Sequence, residues 1–499
     1  MDLFGSLAIG FDAALTFQNI MFCLMGVVLG TLIGVLPGIG PVVTIAMLLP
    51  VTFTLPPLPA LIMLAGIYYG AQYGGSTTAV LVNVPGEASS VITCLDGHQM
   101  ARQGRAGSAL AVAALGSFFA GCVGTVMIAL FGPALSLVAQ KFASPEYFAL
   151  MVFGLIAAVV LAHGSVLKAV TMIGLGLLLG LVGTDVSTGA ARFTFGIPEL
   201  VDGIGFVPLA MGLFGIAEVI ANLQRPQNRE LLTEKIKGLW PTKQDFKDCW
   251  PAVLRGTGIG AGLGILPGGG SILGSFASYM LEKKVSKTPE RFGKGAIQGV
   301  AGPESANNAA AQTSFIPLLT LGIPPNPVMA LMMGAMIIQG IAPGARVMEE
   351  RPELFWGMIA SMWLGNLLLL VINLPMIGVW VSLLRIPYRL LFPAIILFCC
   401  IGVYSLNNST FEVFMTVVFG LVGFVFIRLG CEPAPLLIAF ILGPLMEENL
   451  RRAMLLSRGD PMVFLERPIS CAILVAAALL FVATVMPMVR KKREEAFQQ

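Results

Sequence analysis

Twice in this chain a Pro-Gly break interrupts a long apolar stretch. Residues 30–41 read Gly-Thr-Leu-Ile-Gly-Val-Leu-Pro-Gly-Ile-Gly-Pro, and residues 260–271 read Gly-Ala-Gly-Leu-Gly-Ile-Leu-Pro-Gly-Gly-Gly-Ser. Gly30, Gly34, Leu36, Pro37, Gly38 and Gly40 match Gly260, Gly264, Leu266, Pro267, Gly268 and Gly270. A proline there removes a backbone donor and leaves neighbouring groups without helical partners. Hydrocarbon cannot satisfy such groups, so the break survives only inside protein or along a watery cavity. A fold for this chain must wrap protein around both breaks.

Composition sets the surroundings. Hydrophobic residues make up 56% of the 499 and charged residues 11%. A soluble fold would expose large apolar patches on that composition. Charge-free runs at 147–162, 169–184 and 469–489 approach or meet the roughly 20 residues that cross a hydrocarbon core. The expectation is an all-α polytopic membrane protein with about 10 to 14 membrane segments. No Lys or Arg precedes Arg102, so the basic start of a signal peptide is missing and the first segment should stay in the mature protein. The net charge of +3 sits in a few loops and says little about partners.

Several chemistries lack their parts. The eight cysteines show no C-x-x-C spacing and read as small apolar packing residues. Two histidines, His98 and His163, border loops and are too few for haem ligation, a His-rich metal site or a Ser-His-Asp triad. No G-x-S-x-G occurs. The glycine string 256–262 lacks a βαβ setting and a Gly-Lys-Ser/Thr, so it reads as close helix packing rather than a phosphate loop. Nothing suggests nucleic acid, and no cofactor is expected.

The one sizeable hydrophilic segment, 222–255, carries Arg225, Arg229, Lys235, Lys237, Lys243, Lys247 and Arg255. It reads as a cytoplasmic linker between an N-terminal transmembrane repeat, 1–221, and a C-terminal one, 256–489, with 490–499 a basic cytoplasmic tail. A second pair of breaks supports the repeat: Val84-Pro85-Gly86 is echoed by Ile323-Pro324-Pro325 in the same order, with a longer loop in the second copy. Basic residues flank 256–281 on both sides, whereas none flanks the first copy. A hairpin turning at Pro267-Gly268 keeps both basic flanks inside. Two re-entrant hairpins entering from opposite faces is the inverted-repeat plan of secondary transporters. A parallel repeat is the alternative.

Half-helices that end at mid-membrane bring their termini together. N-termini suit carboxylates, while C-termini and unwound carbonyls suit Na⁺. Pro37, Gly38, Gly40, Pro267 and Gly268 would supply backbone groups and the turns of a substrate site. Ser76, Thr77, Thr78, Gly86, Ser89 and Asn326, beside the second breaks, are the remaining candidate substrate ligands. Asn83, Ser305, Asn307, Asn308 and Thr313 are candidate Na⁺ ligands. Glu304 is a candidate coupling acid, because an ionisable group at membrane depth is expensive; at the interface it would cost little. The hydroxyls could equally bond back to their own helices or hold helices together.

At these residues the sequence resembles the large membrane subunit of tripartite tricarboxylate transporters. The matching motifs are residues 30–41, Tyr69-Gly-Ala-Gln-Tyr-Gly-Gly-Ser-Thr-Thr78, Asn83-Val-Pro-Gly86 and Gly302-Pro-Glu-Ser-Ala-Asn-Asn308, and the similarity runs over roughly 15–480. The resemblance implies a bacterial inner-membrane carrier working with a small membrane subunit and a periplasmic solute-binding protein. It implies uptake of citrate or related carboxylates with Na⁺. The polar clusters precede their prolines at different distances, Ser76 before Pro85 and Ser305 before Pro324, so the two half-sites are not equivalent. An intramembrane enzyme (protease or lipid-modifying) and a channel are the alternative classes.

Overall fold

Two helices buried along almost their whole length form the axis of the protein. The computed structural model describes residues 3–36, 40–161, 165–185, 188–224, 238, 240–266, 270–383 and 388–485. Within it, helix Pro57–Val82 is buried from Pro59 to its end, and helix Gln298–Thr313 from Gly299 to its end. The second continues through Phe315–Leu321 and restarts as Pro327–Ile338. The chain is mostly helical, as expected. Among the described residues the strands are two-residue pieces, Gly183–Thr184 against Ala191–Arg192.

Each axial helix packs against the two helices that flank one of the Pro-Gly breaks. Phe17–Val35 and Pro41–Phe53 flank the first Pro-Gly break, and Lys243–Ile265 and Gly270–Val285 flank the second. The breaks begin where their sequence requires. Leu36 and Leu266 each precede a proline, whose ring disfavours helical backbone at the residue before it; both are extended, at ψ 109° and 133°. Pro41 opens its helix at the first position, where the missing N–H costs nothing. Pro37, Gly38, Pro267 and Gly268 themselves lie outside the described residues.

The glycines explain how closely flanking helix and axis approach. A Cβ on Gly26, Gly30 or Gly34 would strike the backbone carbonyls of Met63, Ile67 and Ala71, at 2.5 Å for Gly30. In the second half, Gly256, Gly260 and Gly264 face the carbonyls of Gly302, Ala306 and Ala310, at 2.5 Å for Gly264. Small residues let backbones touch in this way, and dispersion then holds the pair. The register recurs beyond this contact. With Met63 equivalent to Gly302, Asn83 falls on Gly322, and both are left-handed helix ends, at φ 57° and 69°.

The two halves share one core. Helix Ala106–Ala139 of the first half receives the second axial helix: a Cβ on Gly116 or Gly124 would lie 2.8 Å from Ser305 Oγ or Gln312 Cβ. Asp96, fully buried, accepts the N–H groups of Gly295 and Ala296 at 2.8 Å and the Tyr279 hydroxyl at 3.0 Å. Arg105 pairs with Asp245 at 2.5 Å. Partial burial alone would raise the Asp245 carboxyl, but hydrogen bonds from Thr242 and the Arg105 guanidinium outweigh it and hold it below the ordinary carboxylate range. Thr242 and Asp245 also form a capping box, so a helix begins at Lys243, inside the stretch read as linker.

Five described helices are long and apolar enough to cross a membrane: Phe17–Val35, Ala106–Ala139, Phe206–Leu223, Pro352–Asn373 and Thr410–Arg428. Shorter apolar helices accompany them, among them Pro41–Phe53, Val166–Gly180 and Pro327–Ile338. At 13 residues, Pro41–Phe53 reaches about 20 Å, short of a core about 30 Å thick. The break shortens it, not a lack of apolar residues.

Candidate functional site

Four chain segments that open helices meet at one cavity of about 420 Å³. They are Gly40–Val42, Glu87–Ser89, Ser271–Leu273 and Asn326–Val328, each directly after one of the four breaks. Gly40 is the cap of Pro41–Phe53. Glu87 caps the short turn that leads into helix Val91–Arg102 and forms a reciprocal box with Ser90. Asn326 caps Pro327–Ile338, its Oδ1 accepting the Met329 N–H at 2.9 Å. Its amide nitrogen reaches the Tyr68 hydroxyl at 3.5 Å. Tyr68 and Gln72, from the first axial helix, complete the inner wall, with Glu218 and Glu432 also on the lining. Among the described residues no Lys, Arg or His lines the cavity.

One donor at this cavity is unused. Gln72 is fully buried, and its Oε1 accepts the Ser89 hydroxyl at 2.9 Å, while its Nε2 has no partner. Ser89 also bonds the Glu87 carboxylate. Gln72 passes the polar chain inward, because its backbone carbonyl accepts the Ser76 hydroxyl at 3.0 Å.

Ser76 leads to the second polar centre. Glu304 is fully buried on the second axial helix. Its carboxylate accepts from Ser76 Oγ at 2.6 Å, from Asn307 Nδ2 at 3.2 Å and from the Thr93 hydroxyl. Among the described residues no Lys, Arg or His pairs with it; the ion pairs lie elsewhere. Asn308 donates to the Glu304 carbonyl at 3.0 Å, to Ser117 Oγ at 2.8 Å and to Asn307 Oδ1 at 2.5 Å. Three neutral donors thus hold a carboxylate in a low-dielectric interior, where charge without a counter-charge is costly.

The candidates read from sequence therefore divide. Gly40, Ser89 and Asn326 line the cavity. Ser76 belongs to the Glu304 cluster, with Asn307 and Asn308, and Thr77 lies beside it. Ser305 bonds back to the Ala301 carbonyl at 2.7 Å. Thr78 donates to the Val35 carbonyl at 2.8 Å and so satisfies the end of helix Phe17–Val35. Thr313 bonds back to Ala309 at 3.1 Å and packs against Gly264. Gly86 is wedged between Gly34 and Gly75, with no room for a side chain. Asn83 is an exposed left-handed helix cap. Tyr68, Gln72, Thr93 and Ser117 are site residues that motif spacing did not single out. A signal existed for two of them: Tyr68, Gln72 and Ser76 recur every four residues, which places them on one face of a helix.

Broken apolar helices, several of them long enough to cross a membrane, define a polytopic membrane protein whose helix openings meet at one cavity. The chain belongs to the tripartite tricarboxylate transporter TctA family, whose model matches residues 20–438. It is 61% identical over 497 residues, all of this chain and 99% of the relative, to an Agrobacterium vitis protein described as "Uncharacterized 52.8 kDa protein in TAR-I ttuC' 3'region". It is 61% identical over 238 residues, 48% of this chain and 98% of the relative, to the "Uncharacterized protein in TAR-II ttuC' 3'region" of the same organism. No solved structure matches.

Proposed function

We propose that this protein is the large transport subunit of a secondary, Na⁺-coupled carrier that imports tricarboxylates or related carboxylates, such as citrate, by alternating access. It would work in a bacterial inner membrane with a small membrane subunit and a periplasmic solute-binding protein, as the resemblance implies; the family description itself says that the system is tripartite. One observation carries the reading: helix-opening segments from all four breaks line a single cavity. Unpaired N–H groups and the positive dipole end of a helix attract carboxylates without a basic side chain. The unpaired Gln72 Nε2 adds a donor of the same kind.

Among the described residues no Lys, Arg or His lines the cavity, so nothing basic there offsets the charge of a bare trianion. A cation bound with it offsets much of that charge. The matched hairpins further support two repeats of opposite orientation, since basic residues flank only the second.

Uptake of labelled citrate into vesicles holding the full chain, the small subunit and the binding protein tests the reading. Accumulation above the external concentration, driven by a Na⁺ gradient, is expected; equilibration alone would indicate a channel and sink the carrier. Leu58→Cys and Ser286→Cys, each in a cysteine-free background, should label from opposite faces of the membrane. Labelling from one face would leave a parallel repeat.

A further inference from the structure

A hollow of about 10 Å³ lies between helices Pro57–Val82, Ala106–Ala139 and Pro352–Asn373, apart from the large cavity. It has room for about one water-sized body. Its polar walls are Tyr73, Ser76, Thr77, Ser117 and Asn373. Two of their atoms, the Tyr73 hydroxyl and Asn373 Oδ1, are buried and have no hydrogen-bond partner; the residues are 4% and 5% exposed. The Asn373 amide is oriented by its nitrogen, which donates to the Leu369 carbonyl at 3.0 Å and to Thr31 Oγ1 at 3.4 Å. That orientation leaves Oδ1 as an acceptor lacking a donor.

The neighbouring charge selects the occupant. Ser76 lines the hollow and donates to Glu304 Oε2 at 2.6 Å, and Ser117 lines it and reaches the Glu304 carbonyl at 3.5 Å. The hollow is thus one hydroxyl away from a buried carboxylate that has no basic partner among the described residues. A water molecule would satisfy the orphaned oxygens; a cation would do so and would also compensate Glu304 in its ionised form. The side-chain donors are all oxygens, the ligands that hard cations prefer, and the single carboxylate suits one positive charge.

We propose that this hollow binds one small, hard monovalent cation, Na⁺, with Tyr73 and Asn373 as ligands, Ser76, Thr77 and Ser117 beside them, and Glu304 as the counter-charge. The site deepens the coupling reading above and rests on it for its role in uptake; binding itself does not depend on it. It differs from the ligand set expected from sequence. Asn307 and Asn308 hold the carboxylate, and the cation sits on its other side, between Ser76 and Ser117.

The experiment follows the thermal unfolding midpoint of the full chain in detergent, titrated with NaCl against choline chloride at constant ionic strength. A saturable rise with Na⁺ and none with KCl is expected. Tyr73→Phe and Asn373→Leu should each raise the half-saturating Na⁺ at least tenfold. Tyr73→Phe deletes a single oxygen and keeps the ring, so it carries the test if Asn373→Leu does not fold. No Na⁺ response in the unmodified chain, or an unchanged half-saturation in the folded variants, overturns the site. Na⁺ binding in detergent without Na⁺-driven uptake in vesicles keeps the site and overturns the coupling reading. Na⁺-driven uptake whose Na⁺ dependence is the same in both variants overturns the site and keeps the coupling.

Discussion

The two axial helices have one backbone plan and opposite polar contents. With Met63 set on Gly302, Ala65 corresponds to Glu304, Tyr68 to Asn307, Tyr69 to Asn308 and Ser76 to Phe315. Where one helix is polar, the other is apolar or aromatic. These positions then meet across the molecule: Ser76 donates to Glu304, and the Tyr68 and Phe315 rings lie 6.5 Å apart. The glycine-mediated helix contact, the left-handed helix end and the capped restart recur in both halves. What teaches most is that the recurring parts are backbone features, while the acid and the amides occur once. The frame brings helix openings to the cavity from both halves, whereas Glu304 has only Ala65 as its counterpart on the other axial helix.

The comparison breaks hardest at Glu304. Glu304→Ala strands Ser76, Thr93 and Asn307 in the interior. Uptake should fall below a tenth, and unfolding should cost about 1–3 kcal/mol less, the usual penalty for buried groups left unpaired. Glu304→Gln keeps the shape and removes the charge. It should fold nearly as well yet lose the Na⁺ dependence of uptake, read as flux against Na⁺ concentration. Full Na⁺ dependence in Glu304→Gln would deny the carboxylate its role.

The shared frame is tested next. Gly30→Leu and Gly260→Leu put side chains against the Ile67 and Ala306 backbones respectively. Both should destabilise by about 1–3 kcal/mol or more through overpacking, and by similar amounts. A large loss in one half and none in the other, seen by thermal unfolding in detergent, would mean the two helix contacts are not equivalent.

Smaller effects separate the cavity from the charged cluster. Asn326→Ala removes a helix cap worth about 1 kcal/mol and a polar group on the cavity wall. Its expected signature is a half-saturating substrate concentration raised several-fold with Na⁺ dependence unchanged. Smallest is Asn83→Gly, because glycine takes a left-handed backbone as readily as asparagine does. Uptake kinetics should be unaltered; a marked loss of Na⁺ dependence would return Asn83 to the cation site.

What the sequence by itself determined was the frame. Apolar content and Pro-Gly breaks required a helical membrane protein with interrupted segments, because lipid cannot satisfy free backbone groups. The recurrence of Gly30, Gly34 and Pro37 at Gly260, Gly264 and Pro267 showed where the close helix contacts lie, since only small residues permit that approach. What the tertiary structure alone decided was partnership. Ser76 and Glu304 are far apart in the chain, and no spacing shows that a hydroxyl of one half completes the shell of an acid in the other. A hydroxyl in an apolar run is ambiguous until its acceptor is seen: Thr78 and Thr313 both donate to backbone carbonyls, which leaves their oxygen lone pairs free to accept. Asn373 carried no motif at all, and its unused oxygen became visible only once the helix bearing it was packed against Tyr73 and Ser117.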